Sequence, residues 1–254
     1  MKTLLVIILL LFLGSFKNPD NTEIAFPSAF KAGEKLKYRL HYGFIEGGHA
    51  YLSLEEKQLN GQKVLHAKAL AKTSGLTDKL FKVRDLYECY LDPETCTPIK
   101  SIRNVNEGKY KFYNEVEYNV ADNKAVSQKT GEHIVPDNIQ DIVSSFYYAR
   151  NSLFKDLKKG QVLTINTFFD DKIYPLKIRF NGHETLKTPF GKIKCLKFSP
   201  EVEPGRVFDT KDDLEVWISN DKNFIPVLIR LNLIVGSVKC ELIDYEGLLV
   251  KLHH

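Results

Sequence analysis

The residues best suited to chemistry lie in one predicted helical segment near the middle of the chain. Asp141, Ser145 and Arg150 combine a carboxylate, a hydroxyl and a guanidinium. On a helix, Asp141 and Ser145 share a face because they are four residues apart, as an Asp–Ser hydrolase site would require. Such a nucleophile also needs a nearby base, and no histidine lies close in the sequence. We therefore predict a structural polar cluster that hydrogen-bonds the helix to adjoining loops.

Motifs that carry catalysis or bind cofactors do not occur in the sequence. It contains no G-x-G-x-x-G, G-x-x-x-x-G-K-[ST], H-E-x-x-H or G-x-S-x-G. The histidines are scattered over separate segments, and the pair His183 and Glu184 lacks a second histidine at helical spacing. We predict no catalytic residues, no metal site and no cofactor, and the sequence does not identify the residues that bind a ligand.

The four cysteines are candidates for disulfide bonds. No C-x-x-C occurs, and the spacing matches no zinc pattern. Cys195 and Cys240 lie in strand-like runs and can pair if those strands are neighbours. Cys89 and Cys96 flank the turn at residues 92–95 and can face each other across it. We expect Cys195–Cys240 and Cys89–Cys96 as candidate disulfides, with four buried free thiols as the alternative.

The elements that must position these residues are mostly strands. In EKLKYRLHYGF, alternate residues are apolar and the residues between them are charged or polar, which is typical of an antiparallel strand with one wet face. Similar runs follow at short intervals between turn signals, and no alternation of strands with helices occurs. The pattern predicts a mainly β protein: a curled antiparallel sheet, or a partly open β-barrel or roll, of about a dozen strands.

One or two short helices interrupt this pattern. Residues 76–83 form the shorter candidate. The second is predicted to begin at Asp137 as N-cap, with Gln140 three residues further on. An apolar stripe with helical spacing follows and should lie against the sheet: Ile139, Ile142, Val143, Phe146 and Tyr147. The strands before and after this helix are candidates for two halves of one sheet.

The start of the chain has the pattern of a secretory signal peptide. Lys2 precedes an apolar run from Leu4 to Gly14. As a helix this run would extend roughly 16 Å, which is too short for a bilayer core of about 30 Å. We predict a signal peptide at residues 1–16 and a single β-rich domain at residues 17–254, with no transmembrane segment after removal of the signal. An uncleaved N-terminal anchor is the alternative.

The overall charge does not indicate nucleic-acid binding. The formal net charge is +4, and lysine alternates with aspartate and glutamate along the chain. Nucleic-acid binding proteins usually concentrate basic residues in one stripe. We interpret the charged residues as a solvated protein surface, and we predict no nucleic-acid partner.

Several long segments resemble the DUF3108 family of exported bacterial proteins. They include AGEKLKYRLHYGFIEGGHAYL, KVRDLYECYLDPETCTPIKSIRNVNEGKY, DIVSSFYYAR, TPFGKIKCLKFSP and VWISNDKNFIPVLI, in this order between Phe30 and Gly247. The family is named for its unknown function, so no catalytic residue carries over. The resemblance implies an antiparallel β protein of the periplasm or outer cell envelope of a Gram-negative, Bacteroidetes-like bacterium.

The leading functional hypothesis is a non-enzymatic periplasmic binding or scaffold protein, whose apolar groove holds a lipid or another hydrophobic ligand. The first alternative is a carbohydrate or cell-wall binding module that stacks sugars on Tyr110, Phe112 and Tyr113. A hydrolase that uses an Asp–Ser arrangement, such as Asp141 and Ser145, or a Glu–His arrangement is the second alternative. An interaction with another envelope protein is also left open by the sequence.

Overall fold

The computed structural model describes residues 29–202, 210, 212–234 and 236–252. The predicted signal peptide at residues 1–16 lies outside these residues, as do residues 17–28 of the predicted domain. Within the described part, fourteen antiparallel strands form one curled sheet that does not close into a barrel. The prediction of a mainly β protein with a curled antiparallel sheet is therefore confirmed.

The strands of the described part range in length from four residues in β7 and β8, at one edge of the sheet, to 17 residues in β10 near the other edge. They are β1 (Lys35–Tyr42), β2 (Ile45–Leu59), β3 (Gln62–Thr73), β4 (Arg84–Leu91), β5 (Pro98–Glu107), β6 (Tyr110–Asn119), β7 (Lys124–Ser127), β8 (Gly131–Ile134), β9 (Val162–Phe169), β10 (Lys172–Thr188), β11 (Gly191–Pro200), β12 (Leu214–Ser219), β13 (Pro226–Asn232) and β14 (Ser237–Glu246). The helices are α1 (Gly75–Leu80) and α2 (Ile142–Ser152).

The sheet consists of two meanders that meet at the first and last strands. Its order is β8-β7-β6-β5-β4-β3-β2-β1-β14-β13-β12-β11-β10-β9, so β1 pairs with β14 and the remaining neighbours are consecutive in sequence. The chain passes between the outer strands β8 and β9 through α2. The expected division into two halves of one sheet at this helix is therefore confirmed.

The alternation of side chains explains why the sheet curls around one apolar side. In β4, every second residue from Asp85 to Leu91 is buried and the residues between them are partly exposed. Strands of this kind bury one face and expose the other to solvent. A sheet of many such strands therefore curls so that its apolar face is enclosed. The buried residues form separate clusters, including one beneath α2 and one around the β1–β14 junction.

The second helix begins later than predicted. Its N-cap is Asp141, not Asp137, because Asn138 adopts a left-handed conformation with φ of 55°. The backbone of Gln140 then pairs with β9, donating to the Asn166 carbonyl at 2.8 Å and accepting from Phe168 N–H at 2.8 Å. Since Gln140 is extended, the helix cannot include it. The predicted start of this helix is wrong by four residues.

The apolar stripe of α2 faces the sheet, as predicted, for the residues that belong to the helix. Ile142, Val143, Phe146 and Tyr147 pack into the cluster beneath α2, whereas Ile139 lies before the helix and joins another cluster. The helix contacts β3, β4 and β9. It therefore covers the hollow side of the curled sheet.

Candidate functional site

The predicted polar cluster is tied to the backbone of α2. Asp141 Oδ1 accepts hydrogen bonds from Val143 N–H at 2.6 Å and Ser144 N–H at 3.3 Å, and Ser144 Oγ accepts from Asp141 N–H at 2.8 Å. This reciprocal arrangement is a capping box. Ser145 Oγ donates to the Ile142 carbonyl at 2.9 Å. Asp141 and Ser145 thus secure the first turn of the helix.

Arg150 belongs to a different site from Asp141 and Ser145. Its guanidinium donates to both carboxylate oxygens of Glu34, at 2.6 and 2.7 Å, and to the carbonyls of Ala29 at 3.0 Å and Asn223 at 2.9 Å. Both charged side chains are almost completely buried. The pair ties α2 to the segment before β1 and to the turn before β13, so the three predicted residues do not converge on one reactive centre.

The four cysteines are free thiols, and all four are buried. Cys195 and Cys240 lie on β11 and β14, which are separated in the sheet by β12 and β13. Cys89 lies within β4, while Cys96 occupies a left-handed position with φ of 61° in the turn between β4 and β5. Neither expected disulfide is formed, and Cys195 and Cys240 lie on strands that are not neighbours in the sheet.

An apolar cavity lies between α2 and the inner face of the sheet. Its volume is about 170 Å³, and it is lined by side chains from both halves of the sheet and from the helix. The lining includes Leu40 of β1, Leu52 of β2, Ile229 of β13 and two residues of α2, Ile142 and Phe146. This cavity is the strongest candidate for a functional site in the described part of the chain.

The cavity exists because the inner face of β2 and β3 carries alanines at its centre. Ala50 and Ala71 are cross-strand partners, and Ala69 and Ala71 alternate along β3 on the same face. All three line the cavity. A methyl group fills little of the space that a cross-strand leucine pair would occupy, so a hollow remains beneath α2 beside its packed contacts. Sequence reasoning missed these residues, although the alternation in HAKALAK was a usable signal.

Two polar residues of β4 form one wall of this cavity. Asp85 lines it and accepts a hydrogen bond from Asn106 N–H at 2.9 Å. Burial raises the pKa of the Asp85 carboxyl, and this effect outweighs the hydrogen bonds that lower it. Burial also raises the pKa of Tyr87 to about 12, partly opposed by Arg103. Asp85 and Tyr87 face inward, which the sequence analysis did not predict.

A small polar cleft adjoins the cavity and shares Tyr87, Ile142 and Val143 with it. Arg103 of β5 lies in this cleft between two aromatic rings, with its guanidinium carbon 4.5 Å from the Phe112 centroid and 4.3 Å from the Phe169 centroid. It also bonds Asp170 in the turn between β9 and β10. Arg103 therefore connects the first half of the sheet to the second beside α2.

Metal-ligand clusters and membrane-spanning helices are both absent from the described residues. Within these ranges, no group of three or more His, Cys, Asp or Glu side chains is placed to hold a metal ion. No helix among them is long and apolar enough to cross a bilayer.

This geometry defines the class of the molecule: a barrel-like antiparallel β protein with a helix across its open side. A crystal structure described as a beta-barrel-like protein of domain of unknown function DUF1849, from Brucella abortus, is similar to it with a TM-score of 0.59 and 10% identity. The match covers 86% of this chain and 99% of that chain. At this identity the similarity shows the fold alone.

The sequence profile of DUF3108, a family described as proteins of unknown function, matches residues 37–243, and the chain belongs to this family. A DUF1089 family protein from Pseudomonas aeruginosa also matches, with a TM-score of 0.39, 12% identity and coverage of 80% of this chain and 92% of that chain. No curated protein matches the sequence.

Proposed function

We propose that this protein is an exported, non-enzymatic binding or scaffold protein of the bacterial cell envelope that holds an apolar, lipid-like group between α2 and the curled sheet. The observation that supports this proposal is the cavity of about 170 Å³ lined mainly by apolar side chains. Export and a location in the periplasm or outer envelope rest on the signal-peptide pattern of residues 1–16.

The size of the cavity indicates what kind of group it accepts. An engineered apolar cavity of about 150 Å³ stays dry and binds benzene, whereas drug-sized ligands occupy pockets of about 300–1,000 Å³. A volume of about 170 Å³ therefore suits the end of one alkyl chain or a small apolar ring. A complete two-chain lipid would need α2 to move away from the sheet.

The carbohydrate alternative has less support from the geometry of its candidate residues. Tyr110 and Tyr113 are partly exposed, but they are three residues apart in β6 and point to opposite faces of the strand. Phe112 is covered by two cationic side chains. The guanidinium carbon of Arg103, on β5, lies 4.5 Å from the ring centroid, and the Lys129 amine lies 5.1 Å from it. The three rings do not form one flat platform for a sugar.

The hydrolase alternative also has little support. Asp141 and Ser145 are occupied by backbone groups of α2, and Arg150 pairs with Glu34. A nucleophile needs a base within hydrogen-bond reach, and Ser145 instead donates to a carbonyl. We therefore favour binding over catalysis.

Native mass spectrometry tests this proposal on protein purified without detergent from a bacterial envelope. We expect the wild-type protein to carry an apolar adduct that organic solvent extracts. A double substitution, Ala69→Leu and Ala71→Leu, should fill the cavity and remove the adduct. Ala121→Leu, at an exposed turn position, is the matched control and should retain it. An adduct that survives in the filled variant, or a wild type that never carries one, would overturn the proposal.

A further inference from the structure

Large apolar side chains are exposed together at one end of the sheet. Phe44 is fully exposed in the turn between β1 and β2, and Ile45, the first residue of β2, is 64% exposed. Leu76 and Leu80 of α1 are 70% and 78% exposed. Consecutive antiparallel strands place alternate turns at the same end of a sheet, so the β1–β2 turn and the β3–β4 connection are on one side. We call Phe44, Ile45, Leu76 and Leu80 the apolar rim.

Hydrogen bonds between these turns make the rim one continuous surface. Ser74 N–H donates to the Gly47 carbonyl at 3.2 Å, and Thr77 Oγ donates to the Glu46 carbonyl at 3.3 Å. These bonds dock α1 onto the start of β2. The exposed leucines of α1 and the exposed pair at the β1–β2 turn are therefore held side by side, although more than thirty residues separate Phe44 from Leu76 in the sequence.

Basic residues flank the rim. Lys79, Lys82 and Lys109 are exposed, and the Gly108 N–H donates to the Lys82 carbonyl at 2.8 Å, which joins the β5–β6 turn to the same corner. The negative charge of Asp78 is offset by Arg84, which binds it at 2.7 Å. Glu46 is the exposed acidic residue at the start of β2. The corner is therefore apolar at its tip and positively charged around it.

The apolar cavity lies close to this end of the sheet. Ala71 and Asp85 line the cavity and are cross-strand partners only a few residues from α1. Leu40 lines it from β1, two residues before the end of that strand. A surface that binds membranes at this position would bring the cavity next to the lipid from which an alkyl chain could enter.

We propose that the apolar rim docks on the surface of a membrane that contains anionic phospholipids. Its exposed phenylalanine, isoleucine and leucines enter the boundary between head groups and acyl chains, and the lysines contact phosphate groups. Amphipathic surfaces with apolar side chains and a basic border bind membranes in this way. The inference rests on the proposed binding function, because it assigns the source of the ligand.

The test places a fluorescent residue in the rim of the full-length chain. The single native tryptophan, Trp217, is 1% exposed and provides a constant background. The vesicles contain phosphatidylcholine with about one third phosphatidylglycerol. When the Phe44→Trp variant binds them, the emission of the new tryptophan should shift to the blue, and brominated lipids should quench this emission. Ile134→Trp is the matched control and should stay unquenched, since Ile134 is 68% exposed at the end of β8 and lies at the opposite end of the sheet.

Charge substitutions test the lysines separately. Lys82→Ala and Lys109→Ala should each weaken binding to the anionic vesicles by about fivefold, since one basic residue near such a surface contributes about 1 kcal/mol. Two results would overturn the proposal. One is vesicle binding that does not depend on the phosphatidylglycerol content, and the other is equal quenching of the tryptophan emission in Phe44→Trp and Ile134→Trp. A blue shift of the Phe44→Trp emission that appears without vesicles when the protein concentration is raised would assign the rim to contact with a second copy of the chain. This result would also overturn the proposal.

The outcome can be separated from that of the proposed function. Phe44→Ser with Ile45→Ser removes part of the rim without touching the cavity lining. This variant should still bind benzene, a dissolved probe whose size suits a cavity of about 170 Å³, when binding is measured by isothermal titration calorimetry. If this variant loses vesicle binding but still binds the probe, the result supports membrane docking by the rim. If the wild type binds the probe but no vesicles, the result refutes membrane docking and leaves the proposed binding function intact.

Discussion

Glu34 and Lys35 are neighbours in the chain, but their ion pairs lie in very different surroundings. Glu34 and Arg150 are 1% and 0% exposed, whereas Lys35 and Glu246 are 60% and 66% exposed. Removing one member of a buried pair leaves an uncompensated charge in the core, which costs about 3–5 kcal/mol. A surface pair contributes less, about 0–1 kcal/mol. Position in the fold, and not the residue type, decides the energetic value of each pair.

Glu34→Gln is therefore expected to lower the free energy of unfolding by about 3–5 kcal/mol, because the Arg150 guanidinium loses its buried counter-charge. Denaturation in urea, followed by circular dichroism, measures the change. Lys35→Ala is the control, with an expected loss below about 1 kcal/mol. Equal effects of the two substitutions would show that the Glu34–Arg150 pair does not anchor α2.

The cysteines provide a second prediction for individual residues. Burial raises the pKa of Cys96, Cys195 and Cys240 to about 12, and it also raises the pKa of Cys89 well above its ordinary value. Because the thiolate is the reactive form, all four thiols should resist alkylation in the folded protein and react within minutes in guanidinium chloride. Mass spectrometry under non-reducing conditions counts the labels. Fewer than four labels after unfolding would show that a disulfide forms after all.

At the scale of elements, the close packing of β2 against β3 requires glycine at position 48. A Cβ atom on Gly48 of β2 would lie 2.2 Å from the Lys72 carbonyl oxygen on β3, whereas one on Gly47 would lie 3.6 Å from the Leu40 carbonyl oxygen. The first distance is a clash between backbone and Cβ, and the second is an ordinary contact. Adjacent glycines therefore differ in what they tolerate.

Gly48→Ala is expected to destabilise the protein by about 1–3 kcal/mol, because β2 and β3 must separate locally to admit the methyl group. Gly47→Ala should change the free energy of unfolding by less than about 1 kcal/mol. Thermal denaturation of both variants tests the difference. Similar melting temperatures would mean that the two strands are not held as closely as described.

The strands and the division of the sheet could be predicted because alternation is a local property of the sequence. A run such as RDLYECYL shows its inward face directly, and the helix between the halves has a strong apolar stripe. The start of that helix could not be predicted, since Gln140 is taken by pairing with β9, which is distant in sequence. The partner of Arg150 was equally hidden, because Glu34 is 116 positions away.

At the scale of the whole molecule, the cavity results from three features that no single segment contains. The sheet curls, α2 spans its open side, and alanines leave space beneath the helix. The alanines were visible in the sequence, but their meaning depends on the cross-strand pairing of Ala50 with Ala71. A hollow can be recognised only when both sides of the sheet are known, so the ligand-binding residues could not be assigned from sequence.

Titration of the purified, delipidated protein with a fluorescent single-chain fatty acid tests the central claim most directly. We expect saturable binding of one chain per protein, with emission typical of an apolar environment. Ala71→Leu should reduce the affinity at least tenfold, because each added carbon competes with the ligand for a volume of about 170 Å³. Ala121→Leu should bind like the wild type. Binding without saturation, or identical affinity in Ala71→Leu and the wild type, would contradict the account.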